Sequence, residues 1–252
     1  MTMTGPCFSR TLIAFAMHRF HVSSPPSAGV VVELDRDESH HAAKVLRLCE
    51  GAAVELLDGA GHVAAGVIAS VGRIVKVSVT QVTTVAPPSP AVTIAAAIPK
   101  GPRADAMIEQ LSQLGASELI PLLSRRSVVD PRETKIEKFQ RAAIESAKQC
   151  GRAWFMRVEA PTDFATILRA KSHGARLLAD PAGKRDALVA AGGAATSVLV
   201  LIGPEGGFTE QERADAIAAG FLPWSLGENI LRIETAAVAA VAIARHVLQA
   251  TP

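Results

Sequence analysis

Ser197-Val-Leu-Val-Leu-Ile202, running into Gly203-Pro-Glu-Gly-Gly-Phe-Thr209, is the stretch on which the fold turns. The first segment is apolar without alternation, as expected of a strand buried on both faces. Glycines at 203, 206 and 207 then permit positive φ and let a ligand approach the backbone. Thr209 and Glu212 have the spacing of a capping box, so a helix is predicted to start there. A strand, a glycine loop and a helix in this order belong to an α/β sheet, whose ligands sit at the carboxyl ends of strands. Leu201, Ile202, Gly203, Gly206 and Gly207 are therefore candidate ligand contacts. Pro204 restrains the loop, and Glu205 offers a carboxylate to a bound cation or ribose. The same residues also suit a glycine-rich turn with no ligand. The loop lacks the Gly-Lys-Ser/Thr ending of a phosphate loop and the Gly-x-Gly-x-x-Gly dinucleotide fingerprint.

Outward from this stretch, strands and helices alternate. Val92 to Ile98 is an unalternating apolar strand. A helix follows with Met107, Ile108, Leu111 and Leu114 on one face, closed by Gly115. Glu118 to Leu123, Ala175 to Ala179 and Phe221 to Ser225 are further strands. Helices are predicted over Thr134 to Gln149 and Asp163 to Lys171, and an alanine-rich helix ends the chain. The pattern predicts a parallel sheet covered on both faces.

Residues 17–86 have a different texture. Val30 to Leu34, Ala53 to Leu57, Val63 to Ile68 and Ile74 to Thr80 are short β-branched runs. Turn signals at 58–61 and 71–73 separate them. The spacing suits a small barrel, interrupted by a helical piece from Glu38 to Leu48 with His41, Val45 and Leu48 at helical spacing. Ala86-Pro-Pro-Ser-Pro90 is a stiff connector. The expected organisation is a barrel over 17–86, a linker over 87–90 and an α/β domain over 91–252. Arg10 and the apolar run to Met17 faintly resemble a signal peptide, but the run is short and no small-residue cleavage site follows. Met17 is read as the natural start, opening a first strand, and residues 1–16 as an upstream extension.

Composition narrows the function. Tyrosine is absent and aromatics make up 4 % of the 252 residues, which argues against a stacking platform for single strands as the whole function. Net charge is +2. From Lys100 to Arg157, however, eleven Lys/Arg face seven Asp/Glu, a local +4. That stretch is either a pair of solvated helix faces or a patch for phosphates. Cys7, Cys49 and Cys150 are isolated, with no zinc spacing, so no metal is expected. Reduced thiols suggest a cytoplasmic protein, and no apolar run is long enough to span a membrane.

A second loop, Leu226-Gly-Glu-Asn-Ile-Leu-Arg-Ile-Glu-Thr235, leads into the final helix. Ile230 and Leu231 are suited to clasp a flat adenine, and Leu226 and Gly227 are further candidate ligand contacts. Arg232 is a permanent cation with a planar donor fork; it either acts on a substrate or pairs with Glu234 or Glu205. Together, Gly203-Pro-Glu-Gly-Gly-Phe and Leu226-Gly-x-x-Ile-Leu-Arg-x-Glu-Thr-Ala236 resemble the ribosomal RNA small subunit methyltransferase E family, of the SPOUT class. Gln110-Leu-Ser-Gln-Leu-Gly115 with Pro121 and Ser124-x-Arg126-Ser agrees, as do Ala147-Lys-Gln-Cys-Gly-Arg152 and His41-x-x-x-Val-Leu-Arg47 with Gly51 and Asp58-Gly59. The resemblance covers about residues 18–248. Arg125 and Met156 depart from the family pattern.

The resemblance implies a PUA-like RNA-binding barrel followed by a SPOUT domain whose C-terminal chain forms a trefoil knot. It implies S-adenosyl-L-methionine as cofactor, a homodimer, and methylation of N3 of a uridine in 16S ribosomal RNA of the small subunit. Arg19, His41, Arg47, Arg126, Gln149 and Arg152 are then the expected RNA contacts. Arg232 is the expected stabiliser of charge on the uracil. Glu205, or water ordered by Gln149 or Arg152, is the candidate base. Two rivals stand beside this reading: a SPOUT enzyme acting on another RNA such as transfer RNA, and a non-catalytic RNA-binding module.

Overall fold

In the computed structural model the described residues are 17–170, 174–191 and 195–249. Residues 1–16, on which the reading of an upstream extension rests, lie outside them. The N-terminal strands β1 (His18–His21), β2 (Val31–Glu33), β3 (Ala53–Leu57), β4 (His62–Ser70) and β5 (Lys76–Thr84) form one sheet in the order β1-β3-β4-β5-β2. β1 pairs with β3 in parallel and the other pairings are antiparallel. Its inward side chains, Phe20, Leu34, Val54, Leu56, Ile68 and Val77 among them, make a core of their own.

The helical piece between β2 and β3 differs from its reading. α1 (Arg36–His40), capped by Asp35, passes into a π turn over His41–Val45. The amide of Leu46 donates to the carbonyl of His41, five residues back. A π turn holds more residues than an α turn, so the 3.6-residue spacing fails here. Val45 is 59 % exposed, and Glu38, Ser39 and Ala42 are buried instead.

The second sheet matches its expectation closely. β6 (Ala91–Ala96), β7 (Glu118–Leu123), β8 (Arg157–Val158), β9 (Thr162–Asp163), β10 (Ala175–Lys184), β11 (Ser197–Ile202) and β12 (Leu222–Trp224) pair in parallel. Their order is β12-β10-β11-β6-β7-β8, with β9 on β7. Alternate residues serve opposite faces. Val92, Ile94, Val198, Val200 and Ile202 pack under α2 (Pro102–Leu114), α3 (Glu133–Cys150) and α7 (Ile233–Gln249). Ala95, Leu178, Leu199 and Leu201 pack under α4 (Phe164–Arg169) and α6 (Glu210–Ala218). Both faces are covered, which is why these strands read as unbroken apolar runs. Met107, Ile108 and Leu111 are fully buried on α2 as expected, whereas Leu114, at the helix end, is 38 % exposed.

The two sheets are joined by polar contacts. Lys148, on α3, lies 2.6 Å from the Glu38 carboxylate, and both side chains are under 10 % exposed. Glu38 also accepts from the amide of His21. Burial alone would lower the Lys148 ammonium, but the hydrogen bonds it donates to Glu145 and Glu38 overcome this and raise the group above its ordinary value. Arg19 pairs with Glu55 at 2.8 Å and donates to the carbonyls of Lys148 and Gln149. The turn at 58–62, fixed by Asp58 accepting from Ala60, His62 and the His62 ring, bridges to Trp154 and exchanges backbone hydrogen bonds with residues 153 and 155.

Removing one partner of a buried ion pair strands the other charge. Lys148→Ala should therefore lower stability by about 3 kcal/mol in chemical denaturation. The double variant Lys148→Met/Glu38→Gln, which keeps an acceptor for His21, should recover most of that loss.

Candidate active site

A cavity of about 740 Å³ opens at the carboxyl edge of the parallel sheet. Its wall comes from residues 178–182 within β10, the glycine loop after β11 with the first turns of α6, and the loop after β12 that leads into α7. The strands are adjacent and parallel, so their carboxyl ends reach the same edge and the two loops singled out in the sequence meet there.

Of the expected ligand contacts, Ile202, Gly203, Gly207, Leu226, Gly227, Ile230 and Leu231 line the cavity. Leu201 does not. Pleating turns it to the opposite face, where it is fully buried beside Leu199 and Phe221. Gly206 is also outside the wall. It faces Arg126, whose Nη1 donates to the Gly206 carbonyl at 2.6 Å. Positive φ is used only at Gly207 in this loop. Gly203 is required for space instead, since a Cβ there would lie 3.1 Å from the Phe208 ring.

The loop is pinned from three sides. Thr209 and Glu212 form the expected capping box. Glu212 also accepts from the amide of Arg125 at 2.8 Å, tying the 124–127 turn to α6. Burial would raise the Glu212 carboxyl, but the hydrogen bonds from Arg125 and Thr209 prevail and hold it below the usual carboxylate range. Arg103, in the first turn of α2, lies 2.9 Å from Glu205 and 3.8 Å from Glu234. It is a cation that sequence reasoning missed. Its placement depends on β6 lying next to β11, and strand order is not written in local sequence.

Arg232 lines the cavity and is exposed; its carbonyl accepts from the amide of Ala236, while its guanidinium has no hydrogen-bond or ion-pair partner among the described residues. The carboxylates offered as its bland partners are engaged by Arg103. Arg213, of α6, also lines the cavity. Its Nε lies 2.5 Å from Asp180 of β10.

The expected RNA contacts are not all free. Arg47 and Gln149 are exposed, and Arg47 adopts a φ of 53°. Arg126 is exposed while touching Gly206. His41 is half-buried, edge-on to Phe20. Arg19 is spent on the joint between the sheets. Arg152 donates to the Ser112 carbonyl at 2.8 Å, and Arg245 donates to that of Gly115. Burial, then the neighbouring Arg245, pushes the Arg152 guanidinium down to about 10. Arg19 and Arg152 thus act as caps for helix C-termini, where carbonyls are left unpaired. No cluster of His, Cys, Asp or Glu among the described residues could hold a metal ion.

Residues 87–245 match the RNA methyltransferase domain family, and residues 34–77 match the RNA methyltransferase PUA domain. The parallel sheet and its carboxyl-edge cavity are therefore those of an RNA methyltransferase of the SPOUT type, preceded by a PUA-type domain. Ribosomal RNA small subunit methyltransferase E from Synechocystis is 33 % identical, over 94 % of this chain and 80 % of its own length. The Mycobacterium tuberculosis protein of the same name is 32 % identical, over 88 % of each chain. A Neisseria gonorrhoeae structure of that name, bound to S-adenosyl methionine, superposes with a TM-score of 0.82 at 27 % identity, covering 91 % of this chain and 97 % of the other. A Legionella pneumophila methyltransferase in complex with the same cofactor gives 0.83 at 29 % identity, covering 91 % and 97 %. The chain belongs to the ribosomal RNA small subunit methyltransferase E family.

The capping box yields a pH-dependent prediction. Because the folded Glu212 carboxyl titrates below the unfolded one, its contribution is present above the ordinary carboxylate range and is lost as pH falls through the folded value. Glu212→Gln should cost about 1 kcal/mol at pH 7. The difference from the parent protein in thermal melts should shrink steadily below that range.

Proposed function

We propose that the chain transfers a methyl group from S-adenosyl-L-methionine to N3 of a uridine in 16S ribosomal RNA of the small subunit. The observation that carries this reading is the meeting of both motif loops around one cavity, with Arg232 unpaired at its wall. The cavity's volume falls in the range of small-ligand sites. Leu226, Ile230 and Leu231 supply apolar surface for an adenine, and Glu205 and Glu210 supply negative charge for a cationic ligand. When bound, the cofactor supplies an activated methyl group on a sulfonium.

The chain's own residues must deal with the acceptor. A uracil N3 carries a proton at neutral pH and is a poor nucleophile. Of the groups the sequence offered as base or water-ordering residues, Glu205 lines the cavity, and Gln149 and Arg152 do not. Its Oε1 meets Arg103, and its Oε2 has no partner among the described residues. Arg232 stabilises negative charge spreading onto the uracil oxygens. N3 lies on the pairing edge, so the uridine enters unpaired or flipped out. Arg47, Arg126 and Gln149 are the remaining exposed RNA contacts.

The same reading carries the division at 86–90, the trefoil knot in the C-terminal chain, a homodimer whose interface completes the site, and a cytoplasmic location. No helix among the described residues is long and apolar enough to cross a membrane. Mapping N3-methylated uridines in ribosomal RNA from a deletion strain tests the assignment. One 16S uridine should lose its mark and regain it on complementation. Loss confined to transfer RNA, or no loss, refutes it.

Arg232 gives the sharpest prediction. A surface ion pair contributes little and would tolerate lysine, whereas a planar fork on a developing charge would not. Arg232→Lys should slow single-turnover methylation at least roughly tenfold, and Arg232→Ala more, within the ~100- to 1,000-fold typical of one such donor. Cofactor and RNA affinities should be nearly kept. Raising pH should partly rescue both variants, because more of the uridine ionises unaided.

A further inference from the structure

We infer that Arg213, aimed by Asp180, is the cavity's carboxylate subsite and takes the α-carboxylate of the cofactor's amino-acid tail. The inference rests on the cofactor reading above. Among the described residues that wall the cavity, Arg213 and Arg232 are the only cations. They come from different segments, α6 and the loop before α7.

Arg213 is placed where helix physics disfavours it. It sits in the turn just after the capping box, near the positive end of α6. The cation is held there by a carboxylate that is itself fixed. Asp180 is 11 % exposed, and its Oδ1 accepts from the amide of Ala182 at 2.8 Å. Its Oδ2 takes Arg213 Nε at 2.5 Å. Binding through Nε leaves both Nη groups, which have no partner among the described residues. Paired Nη donors are the part of a guanidinium that matches a carboxylate bidentately. A simple surface ion pair would need neither a largely covered carboxylate nor a place in the cavity wall.

The neighbouring charges fit the rest of an amino-acid tail. Glu210, in the same helical turn, lines the cavity; its carboxylate acts on Arg213 through charge and makes no side-chain hydrogen bond or close ion pair among the described residues. It is exposed and available to an ammonium group. An α-amino acid presents a carboxylate and an ammonium together, and Arg213 with Glu210 presents the complementary pair on one helix.

Three ligands that share the adenosine moiety isolate this contact. S-adenosylmethionine and S-adenosylhomocysteine carry the amino-acid tail, and 5′-methylthioadenosine lacks it. Titration calorimetry should show that Arg213→Gln binds the two tailed ligands at least roughly tenfold more weakly, the expected size for a charged hydrogen bond. Its affinity for 5′-methylthioadenosine should stay within about twofold. Asp180→Asn should show a smaller loss with the same selectivity. Equal losses for all three ligands, or no loss, would overturn the inference, because Arg213 would then act on the cavity's shape or not at all. A fall in RNA affinity with the ligand pattern unchanged would overturn it in favour of a phosphate contact. If the parent protein bound none of the three, the cofactor reading would fall and this inference with it. An unchanged melting temperature in both variants keeps the comparison among folded proteins.

Discussion

β11 is hydrogen-bonded on both edges and covered on both faces, and the rest of the molecule follows from that placement. Its neighbours β10 and β6 run in the same direction, so every loop leaving these strands leaves at one edge. A loop there cannot be covered by the helices that cover the sheet, because the helices begin where the loops end. The result is a concave edge with backbone groups, apolar side chains and charged side chains on its wall. Its chemistry is written in loops, while the strands contribute position and rigidity.

The arginines show how a sheet of this kind handles charge. Arg152 and Arg245 donate to carbonyls at the end of α2, and Arg176 donates to carbonyls of Leu168 and Ala219. These cations satisfy orphan carbonyls inside the protein. Arg152 is the member of this group that lies in the positive stretch between residues 100 and 157, so part of that local excess is spent on internal capping. Arg125 and Arg126 show another use. They hold the turn after β7 in place, Arg125 through its backbone amide to Glu212 of α6 and Arg126 through its guanidinium to the glycine loop.

Features that depend on local spacing were legible in the sequence. The buried strands, the capping box at Thr209, the β-rich first part and both cavity loops came from periodicity, turn chemistry and motif. The features that escaped depend on which strands become neighbours. Arg103 reaches Glu205 across 102 positions in the chain. Residues 178–182 form the third wall because β10 extends past its apolar stretch to pair with β12. The wall's second cation, Arg213, is fixed by a carboxylate on that same segment. The assignment of Leu201 failed for a smaller reason, since a motif names consecutive residues and pleating sends neighbours to opposite faces. The π turn at His41–Val45 escaped because sequence patterns assume one helical period.

The buried pair of Lys148 and Glu38, together with the bridged turn at 58–62, has a consequence for how a large substrate is measured. A joint made of desolvated charges and paired backbone groups resists bending, so the first sheet cannot drift relative to the cavity. For an RNA laid against the N-terminal sheet, a fixed joint would turn the distance from that sheet to the cavity into a ruler for the reacting nucleotide.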